Sequence, residues 1–446
     1  MTMRSLAALW LVAAGCTDEP PAPLDLPASR YPEPLRPQVH FSPEAGWLND
    51  PNGLVWFADA WHLFYQHNPN AATFGPMSWG HATSTDLVHW THLPVALSPD
   101  DVLGNAFSGS AVVADDALQL LFTSSGGQDG TQKQSRATSQ DGLAFTAPVV
   151  VLPNPGEANF RDPKVFPDGS GWGMALAVGD HVAFYRSEDL ETWSWASDYA
   201  PDADGVIECP DLLVFDDRAV LVFSTSTNGP VAGSGTWYVV GSFDAGVFTP
   251  ETSPRPFDAG ADAYAFQSWA NTPRHLGLSW MNNWRYALVT PTTGWRGAMT
   301  LPRELSLDGD ELLQRPIPEL DALEAGDATS SPSLRVRARL GAGDGLVFTN
   351  GADLHLRFDG SSLSLDRTEM ASFAGDFPAL HSAPLIGDAI DVDVWLDASS
   401  VEVFAGDGRV AITDLVFPTG DAWSVTPEGD AEVVRTTALM TMWPTP

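Results

Sequence analysis

Basic residues are scarce in this chain, and lysine is almost missing. Among 446 residues there are 22 Lys and Arg against 57 Asp and Glu, a formal net charge of −35, and lysine occurs only at Lys133 and Lys164. Nucleic acids and anionic headgroups are bound through clustered positive charge, so they repel such a surface. The composition therefore excludes these two partner classes and is compatible with a neutral substrate.

Cysteine and helix-forming patterns are scarce as well. The only cysteines are Cys16 and Cys209, and we expect neither to form a disulfide. Residues 38 to 300 contain no convincing amphipathic helix, whereas 39 glycines and 36 prolines indicate frequent turns. With 44% hydrophobic residues, 17 Trp and 22 Phe, the chain is predicted to be globular and built from short strands.

The N-terminal segment "MTMRSLAALWLVAAGC" predicts export. Arg4 precedes an apolar run that is too short for a comfortable membrane span. The small residues before Cys16 resemble a bacterial lipoprotein signal, in which this cysteine becomes the lipidated first residue; the alternative is an ordinary cleaved signal. We therefore expect an exported protein at the cell envelope or cell surface, which contacts the membrane only through this anchor.

The segment that follows, residues 17 to 37, is rich in proline. It contains seven prolines and lacks a core-forming pattern. Because such a segment stays extended, we predict a tether between the anchor and the folded body.

A short pattern recurs four times in the body of the chain. "STDLVHW", "SQDGLAF", "SEDLETW" and "SFDAGVF" each have Ser, then Asp two positions later, then an aromatic residue four positions after that Asp. The aspartates are Asp86, Asp141, Asp189 and Asp244, with steps of 55, 48 and 55 residues. Near-constant spacing of this kind indicates a repeated structural unit.

Between these repeats lie pairs of short apolar runs around turn residues. "GLVWFADAWHLFYQHN", "AVVADDALQLLFTSS" and "LLVFDDRAVLVFSTS" each predict two strands joined by a tight turn. A unit of about 50 residues with three or four short strands is typical of a propeller blade. Units beginning near residues 50, 108, 162, 208 and 264 predict a five-bladed β-propeller over residues 38–315.

The pattern changes after residue 315. "PIPELDALEAGD" predicts a linker over 316–327 with a short helix, and residues 328–446 alternate polar and apolar side chains in hairpin-linked strands, with "GDG" as one turn. About 120 residues of such strands form a β-sandwich. The predicted fold is therefore all-β, a five-bladed propeller followed by a C-terminal sandwich.

Carboxylates stand at the head of several first strands. In "GWLNDPNG", Asn, Asp, Pro and Gly favour a turn, and we expect this turn to aim Asp50 at the propeller axis. The equivalent strands begin at Ser108, Asp162 and Glu208, and in blade five at Asp262 and Tyr264, so side chains far apart in sequence converge on one pocket. Paired carboxylates in one pocket suit the hydrolysis of a glycosidic bond.

Four blocks carry a resemblance to a known family. "WLNDPNG", "FSGSAVV", "FRDPKVF" and "ECPDLL" closely resemble the signature blocks of glycoside hydrolase family 32, which comprises invertases, inulinases and levanases. The resemblance extends over about residues 38–446. It implies a propeller plus sandwich that hydrolyses β-fructofuranosides, namely levan, inulin or sucrose, with retention of configuration.

The resemblance also implies roles for individual residues. Asp50 matches the nucleophile, Glu208 the acid/base, and Asp162 the third carboxylate, which grips fructose hydroxyls and stabilises the transition state. Substrate-pocket positions of the family are matched by Asn49, Gln66, Phe107, Ser108, Arg161 and Asp262. Cys209 either influences the protonation of Glu208 or is a small buried hydrophobe.

Aromatic residues near these blocks are candidates for stacking on sugar rings. Trp79, Trp280 and, less so, Trp284 are such candidates, with core packing as the alternative. Phe74 stands where the family commonly has Trp before Gly, which keeps an apolar platform but loses the indole N–H donor.

Two other activities fit the same blocks. A fructosyltransferase would share the covalent intermediate, and a non-catalytic fructan-binding surface protein would share the pocket. His67, His81 and His89 are not arranged as a metal site, so we expect neither metal nor cofactor.

Overall fold

Tight hairpins connect most strands in the computed structural model, which describes residues 26–445. At the first hairpin Ala58 and Asp59 have φ of 49° and 58°, and at the second Asp115 and Asp116 have 52° and 58°. Two successive left-handed residues form the turn whose twist matches that of antiparallel strands. The turns predicted there are confirmed, as is a third at Asp216, with φ of 51°.

Five sheets between residues 46 and 316 form the five blades of a β-propeller, as predicted. The first blade contains β1 (Gly46–Phe57), β2 (Ala60–Asn68), β3 (Ser78–Ser84) and β4 (Thr91–Leu97). The second contains β5 (Asn105–Ala114), β6 (Ala117–Gly126), β7 (Thr131–Ser139) and β8 (Val149–Leu152). The third contains β9 (Phe160–Asp168), β10 (Gly171–Val178), β11 (His181–Ser187) and β12 (Ser194–Tyr199).

The last two blades are less regular. The fourth contains β13 (Ile207–Phe215), β14 (Arg218–Thr225), β15 (Gly235–Asp244), β16 (Val247–Pro250) and β17 (Arg255–Pro256). The fifth begins with β18 (Tyr264–Ser268) and β19 (Leu276–Trp280). The chain then adds β20 (Trp295–Arg296) to the edge of the first blade, and it returns to the fifth for β21 (Arg303–Asp308) and β22 (Glu311–Pro316).

The first strand of each blade lies innermost. β1, β5, β9, β13 and β18 contact one another in a closed ring. The contact between β18 and β1 closes the ring, and β20 adds a short parallel strand to β1, with Trp295 opposite Gly46. A propeller closed in this way has only short sheet edges open to solvent.

Each innermost strand is interrupted by a β-bulge near the same end. The register breaks lie between Leu48 and Pro51, Ala106 and Gly109, Arg161 and Lys164, Glu208 and Asp211, and Tyr264 and Gln267. A bulge bends the strand and re-aims the side chains next to it. The five bulges therefore turn residues far apart in sequence towards one end of the central channel.

The Ser-x-Asp repeat forms the loop between the third and fourth strands of three blades. In each loop the aspartate, which is Asp86, Asp141 or Asp189, accepts backbone N–H bonds from the residues two and three positions later. The fourth copy differs. Asp244 ends β15, and Ala245 at φ of 50° begins a tight hairpin to β16.

The sandwich follows a short 3₁₀ helix, Pro318–Leu323. Its strands are β23 (Glu324–Asp327), β24 (Ser330–Ser331), β25 (Leu334–Gly341), β26 (Gly345–Thr349), β27 (Asp353–Phe358), β28 (Ser362–Asp366), β29 (Leu380–Pro384), β30 (Ala389–Leu396), β31 (Ser400–Ala405), β32 (Val410–Leu415), β33 (Trp423–Glu428) and β34 (Glu432–Leu439). Two further 3₁₀ turns lie at Thr368–Met370 and Ser372–Ala374.

These strands form two six-stranded sheets, in the orders β23-β34-β25-β30-β31-β32 and β24-β33-β26-β27-β28-β29. The apolar side chains of both sheets meet in one buried cluster. The sandwich begins earlier than the predicted residue 328, because Glu324–Asp327 adds a strand to its first sheet.

The predicted tether also ends earlier than expected. Residues 29–37 pack on the folded body, where Tyr31 is buried against Trp443 and bonds to Glu44. The Arg36 guanidinium is buried over the ring of Trp295. The proline count of this segment concealed its two anchoring side chains; the predicted export signal lies outside the described residues.

A buried row of charged side chains joins the propeller to the sandwich. His40 bonds to Asp397 through Nδ1 at 2.8 Å and to Glu402 through Nε2 at 3.1 Å. Arg303 donates to Glu402 at 2.7 Å and to Asp258 at 2.9 Å. All five side chains are buried, and we call this group the domain seam.

Opposite charges set the protonation of the domain seam. Burial opposes a charge on His40, yet its bonds to Asp397 and Glu402 raise the pKa of this histidine to about 9. Burial likewise opposes the charged forms of Asp397 and Glu402. The bond to His40 nevertheless lowers the pKa of Asp397, and Arg303 together with His40 lowers the pKa of Glu402. Every charge in the seam thus has an opposite charge beside it.

No helix within residues 26–445 has the length and apolar character needed to span a membrane.

Candidate active site

The bulges bring three carboxylates together at one end of the channel. The Sγ atom of Cys209 lies 3.5 Å from Asp50 Oδ2 and 3.7 Å from Asp162 Oδ2. Cys209 is the residue after Glu208, so blades one, three and four meet at this point. We call Asp50, Asp162 and Glu208 the carboxylate cluster.

Asp50 is held from both sides of its carboxyl group. Ser108 Oγ donates to Oδ2 at 2.6 Å, and Asn49 Nδ2 donates to Oδ1 at 3.1 Å. The Trp47 indole donates to Asn49 Oδ1 at 2.6 Å, which fixes the orientation of that amide. Burial raises the pKa of Asp50, the Ser108 bond opposes the rise, and the nearby Glu208 adds to it.

Asp162 adopts a left-handed backbone, with φ of 64°. Its N–H donates to Thr123 Oγ1 at 2.9 Å, and its Oδ2 accepts the N–H of Cys209 at 3.0 Å. Burial raises the pKa of Asp162 to about 7; Arg161 opposes this shift, and Glu208 and Asp50 add to it. One arginine does not balance three carboxylates in a buried site.

Glu208 is the most accessible member of the cluster, with 18% of its side chain exposed. Arg161 Nη2 donates to Oε1 at 2.7 Å, and the Tyr264 hydroxyl donates to Oε2. Burial and the carboxylate of Glu208 raise the pKa of Tyr264 well above its usual value, so the hydroxyl stays a donor. Arg161 is held in turn by Asn159, at 2.6 Å.

The sequence places Tyr264 beside Asp262 at the head of blade five but assigns it no role in the site. In the structure Tyr264, the first residue of β18, occupies the place at the axis. The signal was its position immediately before the bulge of that strand, which matches the position of Glu208 in blade four.

Asp262 lies outside the carboxylate cluster, so its predicted place in the substrate pocket is wrong. Its Oδ2 accepts from Arg367 Nη1 and the N–H of Leu415, both at 2.8 Å, and its Oδ1 accepts from the Tyr286 hydroxyl at 2.6 Å. It precedes β18, and its side chain is fully buried against the sandwich. Asp262 therefore belongs to the contact between the two domains.

Trp79 and Trp280 are also not the sugar-stacking faces that we predicted. Both are fully buried. Trp79 donates to the carbonyl of Phe107 at 3.0 Å, and Gln66 donates to the carbonyl of Ala106 at 2.9 Å. Trp79 and Gln66 thus hold β5 from the neighbouring blade, behind the surface of the pocket.

An aromatic wall stands beside Asp50. Phe74 is 42% exposed, and its ring lies edge-on to Trp47 at 6.4 Å and to Trp284 at 5.5 Å. Phe107, which is partly exposed, lies 6.2 Å from Phe74. Trp284 is partly exposed and packs over the buried Trp280. The accessible aromatic faces are therefore those of Phe74, Phe107 and Trp284.

The three histidines considered for a metal site have separate partners in the structure. His67 bonds to the carbonyl of Trp47, His81 to His62, and His89 to Asp86. Within residues 26–445 no group of three or more His, Cys, Asp or Glu side chains has an arrangement suited to a metal ion.

This arrangement suits displacement at a carbon flanked by two carboxyl groups. Asp50 is oriented by two donors and shielded from water. Glu208 is reachable from the pocket and held by two donors. Asp162 adds negative potential between them, which stabilises a developing positive charge.

Comparisons with known proteins agree with the geometry. Residues 40–316 match the model for the glycosyl hydrolases family 32 N-terminal domain, and residues 328–440 match the model for the family 32 C-terminal domain. A levanase of Bacillus subtilis is 37% identical over 88% of this chain and 68% of its own length. A sucrose-6-phosphate hydrolase of Escherichia coli is 34% identical over 86% of this chain and 89% of its own.

A solved structure is similar over nearly the whole chain. The exo-inulinase of Aspergillus awamori superposes with a TM-score of 0.83 and 30% identity, over 93% of this chain and 100% of that one.

Proposed function

This chain belongs to glycosyl hydrolase family 32 and is a glycoside hydrolase, and from that premise we propose that it is a retaining β-fructofuranosidase acting on terminal fructosyl units of levan, inulin or sucrose. The observation that carries the proposal is the carboxylate cluster, in which Cys209, the residue after Glu208, contacts Asp50 at 3.5 Å. The names of its relatives, a levanase, a sucrose-6-phosphate hydrolase and an exo-inulinase, support the substrate class.

In the first step Asp50 attacks the anomeric carbon of the fructosyl unit. A bond forms between Asp50 and that carbon, the bond to the leaving oxygen breaks, and the proton of Glu208 moves to that oxygen. Ser108 and Asn49 aim the attacking carboxylate. The aromatic wall of Phe74, Phe107 and Trp284 borders the route by which substrate enters.

In the second step water releases the sugar. Glu208, now ionised, takes a proton from water, whose oxygen attacks the anomeric carbon and displaces Asp50. Two displacements restore the original configuration. The first product is then β-fructofuranose.

Asp162 and Arg161 support both steps in different ways. Asp162 faces the developing positive charge of the oxocarbenium-like transition state and accepts bonds from fructose hydroxyls. Arg161, bonded to Glu208 and 3.8 Å from Asp162, keeps the two carboxyl groups at fixed positions. Neither residue forms a covalent bond to the sugar.

The test is to identify products over time with sucrose, inulin and levan as separate substrates. We expect free fructose from the start, and NMR of the first seconds should show the β-furanose before mutarotation. Initial α-furanose would overturn the nucleophilic role of Asp50. Oligosaccharides at high sucrose would instead identify a fructosyltransferase, and no product from any substrate would leave only a binding function.

The pH dependence of the rate follows from Asp50. It must be ionised to attack, and burial raises its pKa above the usual 3.8. The acid limb of kcat/KM should therefore lie at a pH above that value. Because Asp50, Asp162 and Glu208 interact, the limb reports the cluster as a whole. An acid limb below 3.8 would contradict this prediction.

We further propose that the protein is exported and anchored through a lipidated Cys16. The signal-like N-terminal sequence supports this, although that segment lies outside the described residues. Cys16→Ala should move the protein from the membrane fraction to the soluble fraction with unchanged kcat/KM. Retention of the variant in the membrane fraction would point to a different anchor.

A further inference from the structure

We propose that Thr123 and Gln134, two buried side chains of the second blade, position Asp162 for the reaction. Their hydrogen bonds go to the backbone of β9 and to each other, and none goes to a carboxyl group of the cluster. They are therefore positioning residues. The inference rests on the proposed function in one respect, the role given to Asp162.

The two side chains form one connected unit. Thr123 on β6 pairs directly with Gln134 on β7. The Thr123 hydroxyl donates to Gln134 Oε1 at 2.8 Å, and Gln134 Nε2 donates to the carbonyl of Phe160 at 2.8 Å. The hydroxyl oxygen then accepts the N–H of Asp162 at 2.9 Å. Because its proton is committed to Gln134, the hydroxyl presents a lone pair to Asp162.

Asp162 needs this support because of its backbone. Its left-handed φ of 64° is unfavourable for a residue with a side chain. Its N–H is buried, and a buried N–H without a partner is destabilising. This backbone conformation also sets the direction of the carboxyl group, which reaches the N–H of Cys209 at 3.0 Å. Loss of the bond to Thr123 would therefore loosen the backbone of Asp162 and also the position of its carboxyl group.

A similar set of contacts recurs between blades four and five. Ser224 and Thr236 pair across two strands, and their hydroxyls lie 3.0 Å apart. Thr236 donates to the carbonyl of Ala263 at 2.9 Å, and Ser224 accepts the N–H of Ala265 at 3.0 Å. Ala265 is left-handed too, with φ of 56°. The propeller thus uses a buried polar pair to hold a left-handed residue of the next blade, and in blade three that residue carries a carboxylate.

The test compares Thr123→Val, which keeps the shape but loses the hydroxyl, with Thr123→Ser, which keeps the hydroxyl. We expect T123V to lower kcat/KM by about 10- to 100-fold, because a small displacement of a group acting on the transition state has a large effect on rate. Its acid limb should move to higher pH, since the ionised Asp162 loses part of its bond to Cys209. T123S should keep the wild-type rate and profile.

Ser187→Ala is the matched control, because the Ser187 hydroxyl accepts the N–H of Leu190, a left-handed residue with φ of 62°, at 2.9 Å in the loop between β11 and β12, outside the carboxylate cluster. It should lower the melting temperature about as much as T123V does, while its acid limb stays at the wild-type pH. A wild-type rate and acid limb in T123V would overturn the inference, and so would an acid-limb shift in S187A equal to that in T123V.

Two further measurements keep the inference testable. If T123V does not fold, Gln134→Met should shift the acid limb in the same direction by a smaller amount, and an unshifted limb in folded Q134M would overturn the inference. If the wild-type enzyme releases no fructose, the proposed function fails. A crystal structure of T123V then tests the positioning role of Thr123 separately. A displaced Asp162 carboxylate supports the positioning role, and an unmoved one overturns it.

Discussion

The carboxylate cluster and the domain seam are built from the same residue types at similar depth, yet their protonation differs. In the cluster, burial raises the pKa of Asp162 to about 7. In the seam, Asp397 and Glu402 are as deeply buried, and their cationic neighbours lower the pKa of both. The seam has two cations, Arg303 and His40, for its three carboxylates. The cluster has only Arg161 for its three.

The difference shows that burial alone does not fix the charge of a carboxyl group. Removal from water disfavours the ion in both places, and only a close opposite charge reverses the effect. In the seam each carboxylate has a cation beside it, and these bonds join the two domains. The cluster has one cation for three carboxylates, which costs folding free energy but leaves Asp162 able to exchange a proton near neutral pH.

The largest effect is expected from removing either reacting group of the cluster. Glu208→Gln should lower turnover by about 10²- to 10⁴-fold, the usual effect of losing a general acid. Asp50→Asn should cost at least as much, because it closes the covalent route. Initial rates of fructose release measure this, with melting temperatures as the check on folding. If either variant keeps more than about a tenth of wild-type turnover, the assigned role is wrong.

The next effect is expected from breaking the seam. Arg303→Met leaves Asp258 and Glu402 buried without their arginine, which should lower the free energy of unfolding by about 3 to 5 kcal/mol. Denaturant titration measures this change. The matched control is Arg357→Met, which breaks the exposed pair with Glu428 and should change stability little. An equal loss in the two variants would contradict the comparison.

The smallest expected effect is a difference between the cluster and the seam in how the free energy of unfolding depends on pH. Asp162 has a folded pKa of about 7 against 3.8 unfolded, so the folded state binds the proton more tightly and stability falls as pH rises from about 4 to 7. His40, at about 9 against 6.5, contributes stability that is complete below 6.5 and lost as pH rises through 9.

Asp162→Asn should remove only the first of these two losses. At pH 8 the variant should be more stable than the wild type by on the order of 2 kcal/mol, and at pH 4 the two should be equal. Urea titrations at both pH values measure this. A variant that gains nothing at pH 8 would show that the cluster does not destabilise the folded state.

Much of the fold was predictable because its signals are local. The tight turns at Ala58 and Asp115 and the alternating strands of the sandwich depend on neighbouring residues only. Asp50, Asp162 and Glu208 were identified because each lies in a distinctive block at the head of a strand, and the structure brings these three together.

The errors concern facts that are not local. Asp262 lies at a strand head, but its partner Arg367 belongs to the sandwich and is distant in sequence. Nothing in the sequence therefore indicates that the Asp262 carboxyl group points towards the sandwich. Trp79 and Trp280 have the composition of a sugar platform and are covered by other elements. Thr123 was missed because a buried hydroxyl in a strand resembles any other until the next blade is placed beside it.

The parallel pairing of β1 with β20 has a consequence for biosynthesis. The strand at Gly46–Phe57 emerges early from the ribosome, but its parallel neighbour, Trp295–Arg296, is made only after nearly all five blades. Until then the first blade has an open edge, and contacts between residues so distant in sequence form slowly. A nascent chain of this kind therefore completes its first blade only near the end of propeller synthesis.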